Sequence, residues 1–480
     1  MAIVPLNHEL NPEIEHKIFI FYTNHEILKN NVVILSPSIL PLNLKINIYC
    51  MKKILRASLL TVILFVSWQI VFCQGLADQI KSLPGIISVE KMEPNPFFKE
   101  ALIIMVKQPI DHQHPELGSF NQRVILSDLG IDRPVVFITE GYGGDYGANT
   151  KYLNELCPIL NANQLFVEHR FFGKSVPDSI DWKYLTVENA AADHHHIVTL
   201  FRPLFSKKWI STGISKGGET VLYHRALYPN DVEISVPYVA PLNFSTEEKR
   251  HDLFIRHKAG TASGRRKIAH CQTELLKRKK QLMPLFDKLC KEKKYEFRAD
   301  ESTIYDYCVL EFAFSFWQWG RSVKDIPGTT ATDQELFNYL VKICSPNYFD
   351  IESGKPTFPF FVQALKQLGY YGYNPKPFHK LMELNDTHGY LQKLFMPEKS
   401  EFSYNPAMSL LVKDYLKKDA QKILLIYGGS DPWTASAAKT HGNKKILRII
   451  QPGGSHRTRI GTLPDYQRRK VMKTLDEWMN

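Results

Sequence analysis

Cysteine is scarce in this chain: seven in 480 residues, and five once residues 1–73 are set aside, namely Cys157, Cys271, Cys290, Cys308 and Cys344. Five thiols cannot scaffold a chain of this size through disulfides, and an odd number leaves at least one free in an oxidising compartment. No C-x-x-C pair and no metal-spaced His/Cys cluster occurs. The run His194-His195-His196 does not replace one, because consecutive helical residues point about 100° apart and do not converge on one ion. No metal and no cofactor is expected. Internal repeats and low-complexity linkers are missing as well, which excludes a repeat array. So is a large excess of one charge: beyond residue 73 there are 54 Lys/Arg and 45 Asp/Glu, a net +9. The basic residues gather between 249 and 280, in Arg265-Arg266-Lys267 and Lys277-Arg278-Lys279-Lys280, a solvated helical face rather than a polyanion site, so no nucleic-acid partner is expected. What remains, 44% hydrophobic and 23% charged residues, is the composition of an ordinary globular protein long enough for two or three domain-sized units.

The apolar run at 59–72 is too short, and too near a processing site, for a membrane span. It follows Met51 and the basic Lys52, Lys53 and Arg56, the layout of a secretory signal over 51–73 with a mature start at Gln74. Residues 1–50 then form an upstream extension that is not native. Two alternatives stay open. Cys73 is a lipid attachment site in one of them, although Phe72 is bulky where a small residue is wanted; Met1 is the true start in the other, and the run then acts as an anchor. After processing no stable membrane span is expected, and the chain is secreted or periplasmic.

The chemistry begins at Gly213-Ile214-Ser215-Lys216-Gly217. A short apolar stretch precedes it and helix-forming residues follow, which is the layout of a nucleophile elbow. Glycines two before and two after the serine are needed because side chains there would collide with neighbouring backbone. The turn lifts the hydroxyl above a sheet, and the N–H groups opening the next helix face whatever it attacks. Alone, this pentapeptide is a weak signal. Its partners arrive in the order an α/β-hydrolase requires, Ser then Asp then His. The strand-like run 422–427 ends at Gly428-Gly429-Ser430-Asp431-Pro432-Trp433, and a further strand, 447–450, runs into Gln451-Pro452-Gly453-Gly454-Ser455-His456. Asp431 is the expected acid and His456 the expected base. A serine hydroxyl is a poor nucleophile at neutral pH, so an imidazole must take its proton and a buried carboxylate must fix the tautomer. Asp431 alone reads equally as a turn cap and His456 alone as a surface loop residue; three motifs in order outweigh both.

Strands are expected at 101–107, 123–127, 135–139, 165–168, 209–212 and 233–239, joined after residue 420 by the two just named, all in one mostly parallel sheet flanked by helices. A helix over about 187–205 packs on that sheet. Between about 243 and 411 long amphipathic helices take over, such as 268–291 and 332–343. The fold class is therefore α/β, an α/β-hydrolase with its core in two parts, 74–243 and 412–480, and an inserted helical cap over 244–411 that roofs the pocket.

At a finer level, Gln108-Pro109-Ile110-Asp111-His112 with Phe120-Asn121-Gln122-Arg123, then Glu140-Gly141-Tyr142-Gly143, Glu168-His169-Arg170-Phe171-Phe172-Gly173-Lys174-Ser175, the elbow and the Asp431-Pro432-Trp433 turn are similar to the S37 serine peptidases. The resemblance spans most of the mature chain. It implies an aminopeptidase that releases tri- or tetrapeptides from the amino terminus of a peptide substrate, often after proline. The S28 prolyl carboxypeptidase group shares the E-H-R and D-P-W segments, but carries tyrosine where this chain has Lys216.

Further roles follow. The Lys216 N–H is the expected first oxyanion donor, needing only its backbone, and Tyr142 or Gly143, after a strand, supplies the second. Glu168 and Arg170 are expected to form a buried carboxylate–guanidinium pair that braces the site. On a helix over 305–319, Cys308, Glu311, Ser315 and Gln318 make a polar stripe on an otherwise aromatic surface. Glu311 is the expected anchor for the substrate's ammonium, and Phe312 and Trp317, with Phe314, Phe316 and Trp319, offer a flat pocket for proline, with plain core packing as the alternative. Rivals to the exopeptidase reading are an esterase or lipase with the same three residues and a catalytically silent peptide-binding surface protein. Oligomeric state and disulfide pairing are not legible.

Overall fold

Nine strands form one sheet in the order β1-β2-β3-β5-β4-β6-β7-β8-β9 in the computed structural model, which describes residues 75–397 and 400–480. The signal segment expected at 51–73, the start at Gln74 and the extension 1–50 lie outside the described residues. Strands β1 (Ile86–Met92), β2 (Glu100–Pro109) and β3 (Ser119–Asp128) pair antiparallel at one edge. Strands β4 (Val135–Thr139), β5 (Asn163–Val167), β6 (Trp209–Ile214), β7 (Ile234–Tyr238), β8 (Ile423–Gly428) and β9 (Ile446–Gln451) run parallel. Four of them, β4, β5, β7 and β8, are buried at every residue, as strands covered on both faces must be.

Helix α1 (Val187–Phe201) covers one face, where Ile197 and Phe201 pack on Phe137, Leu165 and Trp209. Its entry is fixed by the Thr186 side chain, which accepts from the Asn189 N–H. Helix α2 (Lys216–Leu227) follows β6 directly. The opposite face is covered by the last helix of the chain (Asp465–Met479), whose Val471 and Leu475 join Val136, Ile210, Val236 and Ile426. From β2 onward this is α/β-hydrolase topology, with β3 antiparallel to its neighbour β5.

Between β7 and β8 the chain is helical: α3 (Arg250–His257), α4 (Ala262–Lys277), α5 (Lys279–Lys293), α6 (Glu301–Gln318), α7 (Asp333–Ile343) and, returning to the sheet, α8 (Ala407–Lys418). The sequence pattern at 268–291 reads as one helix, but the chain breaks it at Arg278 (φ −93°, ψ 12°). The Arg278 guanidinium donates to the Ala331 carbonyl at 2.7 Å, which ties the break to the start of α7. All five cysteines of the described residues are buried and unpaired.

Candidate active site

Strand β6 turns into α2 at Ser215, which takes φ +57° and ψ −120°, a conformation that a non-glycine residue holds at a cost of roughly 1–3 kcal/mol. The flanking glycines make the turn possible. A Cβ at 213 would lie 2.3 Å from the Gly217 carbonyl oxygen, and one at 217 would lie 2.9 Å from the Thr139 oxygen. The Ser215 N–H donates to Tyr238 at the end of β7, at 2.9 Å. The Lys216 N–H, first in α2, meets no acceptor among the described residues, so it sits at the positive end of the helix with its hydrogen free.

Asp431 lies three residues beyond β8 and is fully buried; its Oδ2 accepts from His456 Nδ1 at 2.7 Å and its Oδ1 from the Trp433 N–H at 3.1 Å. His456 follows β9 in a loop pressed onto the end of β8, where a Cβ at Gly428 would lie 2.3 Å from the Ser455 oxygen. With Nδ1–H given to the carboxylate, Nε2 is the proton-accepting nitrogen. Ser215, Asp431 and His456 thus all leave the carboxyl ends of nearby parallel strands. Among the described residues no group hydrogen-bonds the Ser215 hydroxyl.

The loop after β4 lies against the elbow, since a Cβ at Gly141 would be 2.6 Å from the Gly217 nitrogen. Of the two expected donors, the Tyr142 N–H is directed to Glu140 Oε1 at 3.2 Å, while the Gly143 N–H meets no acceptor among the described residues. No local pattern announces a further contact here: the buried Lys216 side chain donates from Nζ to the Gly141 carbonyl.

Glu168 and Arg170 do not pair with each other. Glu168 accepts from Arg123 Nη2 at 2.5 Å, from the N–H groups of Gly144 and Lys174, and from Ser175 Oγ. Arg170 forks onto Asp193 of α1, with both bonds at 2.7 Å, and donates to the carbonyls of Pro109, Ile110 and Tyr184. The two side chains leave the strand end in different directions, so each finds a buried partner far away in sequence.

In α6, Glu311 is buried; Oε1 accepts from Ser315 and Oε2 from the hydroxyls of Tyr371 (2.8 Å) and Tyr373 (2.9 Å). Burial pushes its carboxyl up to about 7, against those three hydroxyl bonds. Phe312 does not face a pocket: it is fully buried between Phe316 and Tyr339 in the core of the helical segment. The neighbouring Phe314 is the aromatic that reaches the site, stacking on Tyr371 at 3.8 Å and meeting Trp433 edge-on at 5.3 Å. Trp317, Phe314, Tyr371 and Tyr373 line a cavity of about 480 Å³ together with Asp252 and Arg256; none of Ser215, Asp431 and His456 lines it. Trp433 and Tyr371 escaped the sequence reading, although the D-P-W turn contained the first of them.

A strained serine at a strand–helix turn, and a buried carboxylate–imidazole pair on later strands of the same sheet, define the class as a serine hydrolase of the α/β-hydrolase fold. Residues 73–480 match the family described as PS-10 peptidase S37. The prolyl tri/tetrapeptidyl aminopeptidase of Streptomyces mobaraensis is 30% identical over 415 residues, 84% of each chain. The chain belongs to the S37 family and is a serine peptidase. It is also 28% identical over 158 residues to the lysosomal Pro-X carboxypeptidase of Mus musculus, 29% of this chain and 32% of that one. The crystal structure of VinJ aligns with 82% of this chain and 98% of its own at 12% identity and a TM-score of 0.39.

Proposed function

We propose that this peptidase releases tri- and tetrapeptides from the amino terminus of peptide substrates, with a preference for cleavage after proline, through an acyl-enzyme on Ser215. The observation that carries the reading is the 2.7 Å contact between His456 Nδ1 and Asp431 Oδ2, both buried. Ser215 Oγ attacks the scissile carbonyl as His456 Nε2 takes its proton; Asp431 holds Nδ1–H and stabilises the imidazolium. The oxyanion is met by the Lys216 N–H and by one from Tyr142 or Gly143. His456 then hands the proton to the leaving amine, and water, activated by the same imidazole, frees the peptide. The family and the name of the 30%-identical relative support the peptide substrate and its length.

The helical segment between β7 and β8 serves as the cap. Glu311, behind the hydroxyls of Tyr371 and Tyr373, neutralises the substrate's ammonium, and Trp317 walls the cavity that takes the peptide. Trp433 and Phe314 take over from Phe312 as the flat surface for proline. Among the described residues no helix is long and apolar enough to cross a membrane, and the basic-then-apolar segment at 51–73 supports export.

The test pairs proline-containing peptide amides with p-nitrophenyl esters of matched acyl groups, alongside labelling by a fluorophosphonate probe. The expected result is labelling that Ser215→Ala abolishes and a kcat/KM that favours peptides with a free amino terminus. Preference for esters points to an esterase; a wild type that stays unlabelled and inactive points to a binding protein.

A further inference from the structure

The Lys216 side chain is fully buried and runs back from the first turn of α2 to the loop after β4, where Nζ donates to the Gly141 carbonyl oxygen and lies 5.5 Å and 5.0 Å from the ring centres of Tyr142 and Phe172. That oxygen and the Tyr142 N–H belong to one planar peptide unit and point to opposite sides of it. The other side is held as well, because the Tyr142 N–H donates to Glu140 Oε1 at 3.2 Å, and the second Glu140 oxygen accepts from the Tyr146 hydroxyl. An amine therefore grips the plane at its oxygen and a carboxyl group grips it at its hydrogen. Gly141 needs such a grip, since glycine permits backbone rotations that other residues resist. A rotation here would swing the Gly141 carbonyl and reorient the next N–H, that of Gly143.

Burying an ammonium is costly, and a methionine of similar volume would fill the space without that cost. Burial draws the Lys216 amine down to about 7, opposed by the carboxylates of Glu219 in α2 and Glu140 beyond β4. His169 and His194 also face this amine. Among the described residues only the contact with Gly141 uses the donor.

We propose that Lys216 and Glu140 clamp the Gly141–Tyr142 peptide plane and so hold the oxyanion loop in its working orientation, which makes the Lys216 side chain a positioning residue for the reaction. Lys216 then serves twice, with its backbone N–H as a donor and its side chain as the brace of the facing donor. The inference rests on Ser215 being the nucleophile.

The test compares wild type with Lys216→Met, Lys216→Gln, Lys216→Arg and Ser215→Ala. Lys216→Met is expected to fold, to lose roughly 10- to 100-fold in kcat on a peptide amide, and to move KM less than about threefold, the pattern of a weakened oxyanion site. Affinity for a peptide boronate, a mimic of the tetrahedral state, falls by the same factor as kcat/KM, while affinity for the product peptide holds. Adding Glu140→Gln to Lys216→Met costs little more, because the clamp is already open. Three outcomes overturn the clamp: turnover of Lys216→Met within about threefold of wild type, a loss confined to KM, or failure of both Lys216→Met and Lys216→Gln to fold, which marks a structural role. Activity in Ser215→Ala would instead sink the nucleophile assignment beneath it.

Discussion

The backbone N–H of His456 donates to the carbonyl oxygen of Gln318 at 2.9 Å. The loop that carries the proposed base is thereby bonded to the last residue of α6, the helix that also carries Glu311 and Phe314. Trp319, one residue on, meets the imidazole in a T-shaped arrangement with ring centroids 6.0 Å apart. The helical segment is therefore part of the platform that holds the imidazole.

Gly320 is where this coupling is most easily disturbed. It holds φ +64°, and a Cβ there would lie 2.9 Å from Ser455 Cβ, next to His456. Gly320→Ala should destabilise the fold by about 1–2 kcal/mol, through left-handed backbone strain and the new contact. Displacement of the His456 loop should lower kcat by about 10-fold, since a misplacement near 1 Å is enough. Ser455→Gly in the same chain should recover part of the kcat loss and little of the stability. Thermal melts and steady-state kinetics read the two effects separately.

Asp431→Asn keeps an oxygen for the Trp433 N–H but presents an amide N–H₂ to His456 Nδ1 in place of an acceptor. The imidazole then carries its hydrogen on the nitrogen that must accept from serine. A fall in kcat of about 10⁴ is expected with the melt nearly unchanged. Wild-type kcat in this variant would remove Asp431 from the mechanism.

The strand-to-helix turn at Ser215 and the loops that carry Asp431 and His456 were legible as local features: glycines beside Ser215, Asp431 after a β-rich run, His456 after another. The eight strands from β2 onward were legible for the same reason. Strand β1 was not, because IISVEKM shows no apolar–polar alternation, with Glu90 and Lys91 side by side, and its residues stay partly or fully exposed at the sheet edge. The break at Arg278 carries neither glycine nor proline, so the amphipathic pattern runs straight through it. Partners were the least legible of all. Arg123 lies 45 residues from Glu168, and Tyr371 lies 60 from Glu311; no periodicity encodes such distances.

Glu311, the proposed ammonium anchor, carries a prediction about pH. Its carboxyl titrates at about 7 in the folded chain against an ordinary 4.5, with burial the main cause. A raised carboxyl pKa favours the folded state below pH 4.5, and that contribution is lost as pH rises through 7. Glu311→Gln, which stays neutral, should match wild type at pH 4 and exceed it at pH 8 by on the order of 3 kcal/mol. Activity should move the other way. For free-amine peptides the wild-type KM should fall as pH rises toward 7 and Glu311 gains its charge. Glu311→Gln should raise that KM roughly 10-fold or more, as expected for a lost charge-assisted bond, and spare peptides with a blocked amino terminus. Equal losses on both substrates would rule out the anchor.

Arg170 tests the difference between bracing a site and belonging to it. Its guanidinium is fully buried and forks onto Asp193, itself fully buried and also 2.7 Å from His112 Nε2. Asp193→Asn leaves that guanidinium without a counter-charge in a place water does not reach, which should cost about 3–5 kcal/mol in denaturant unfolding. Removing both charges, as Arg170→Met with Asp193→Leu, should recover much of the loss, because no unpaired charge stays behind. The kcat per fluorophosphonate-labelled site should remain within about threefold of wild type in every variant that folds. A fall of about 100-fold per labelled site would place Arg170 in contact with the reacting groups instead. The geometry argues against that, since every donor of this guanidinium for which a bond is formed points to Asp193 or to backbone carbonyls of β2, the residue just after it, and the turn before α1.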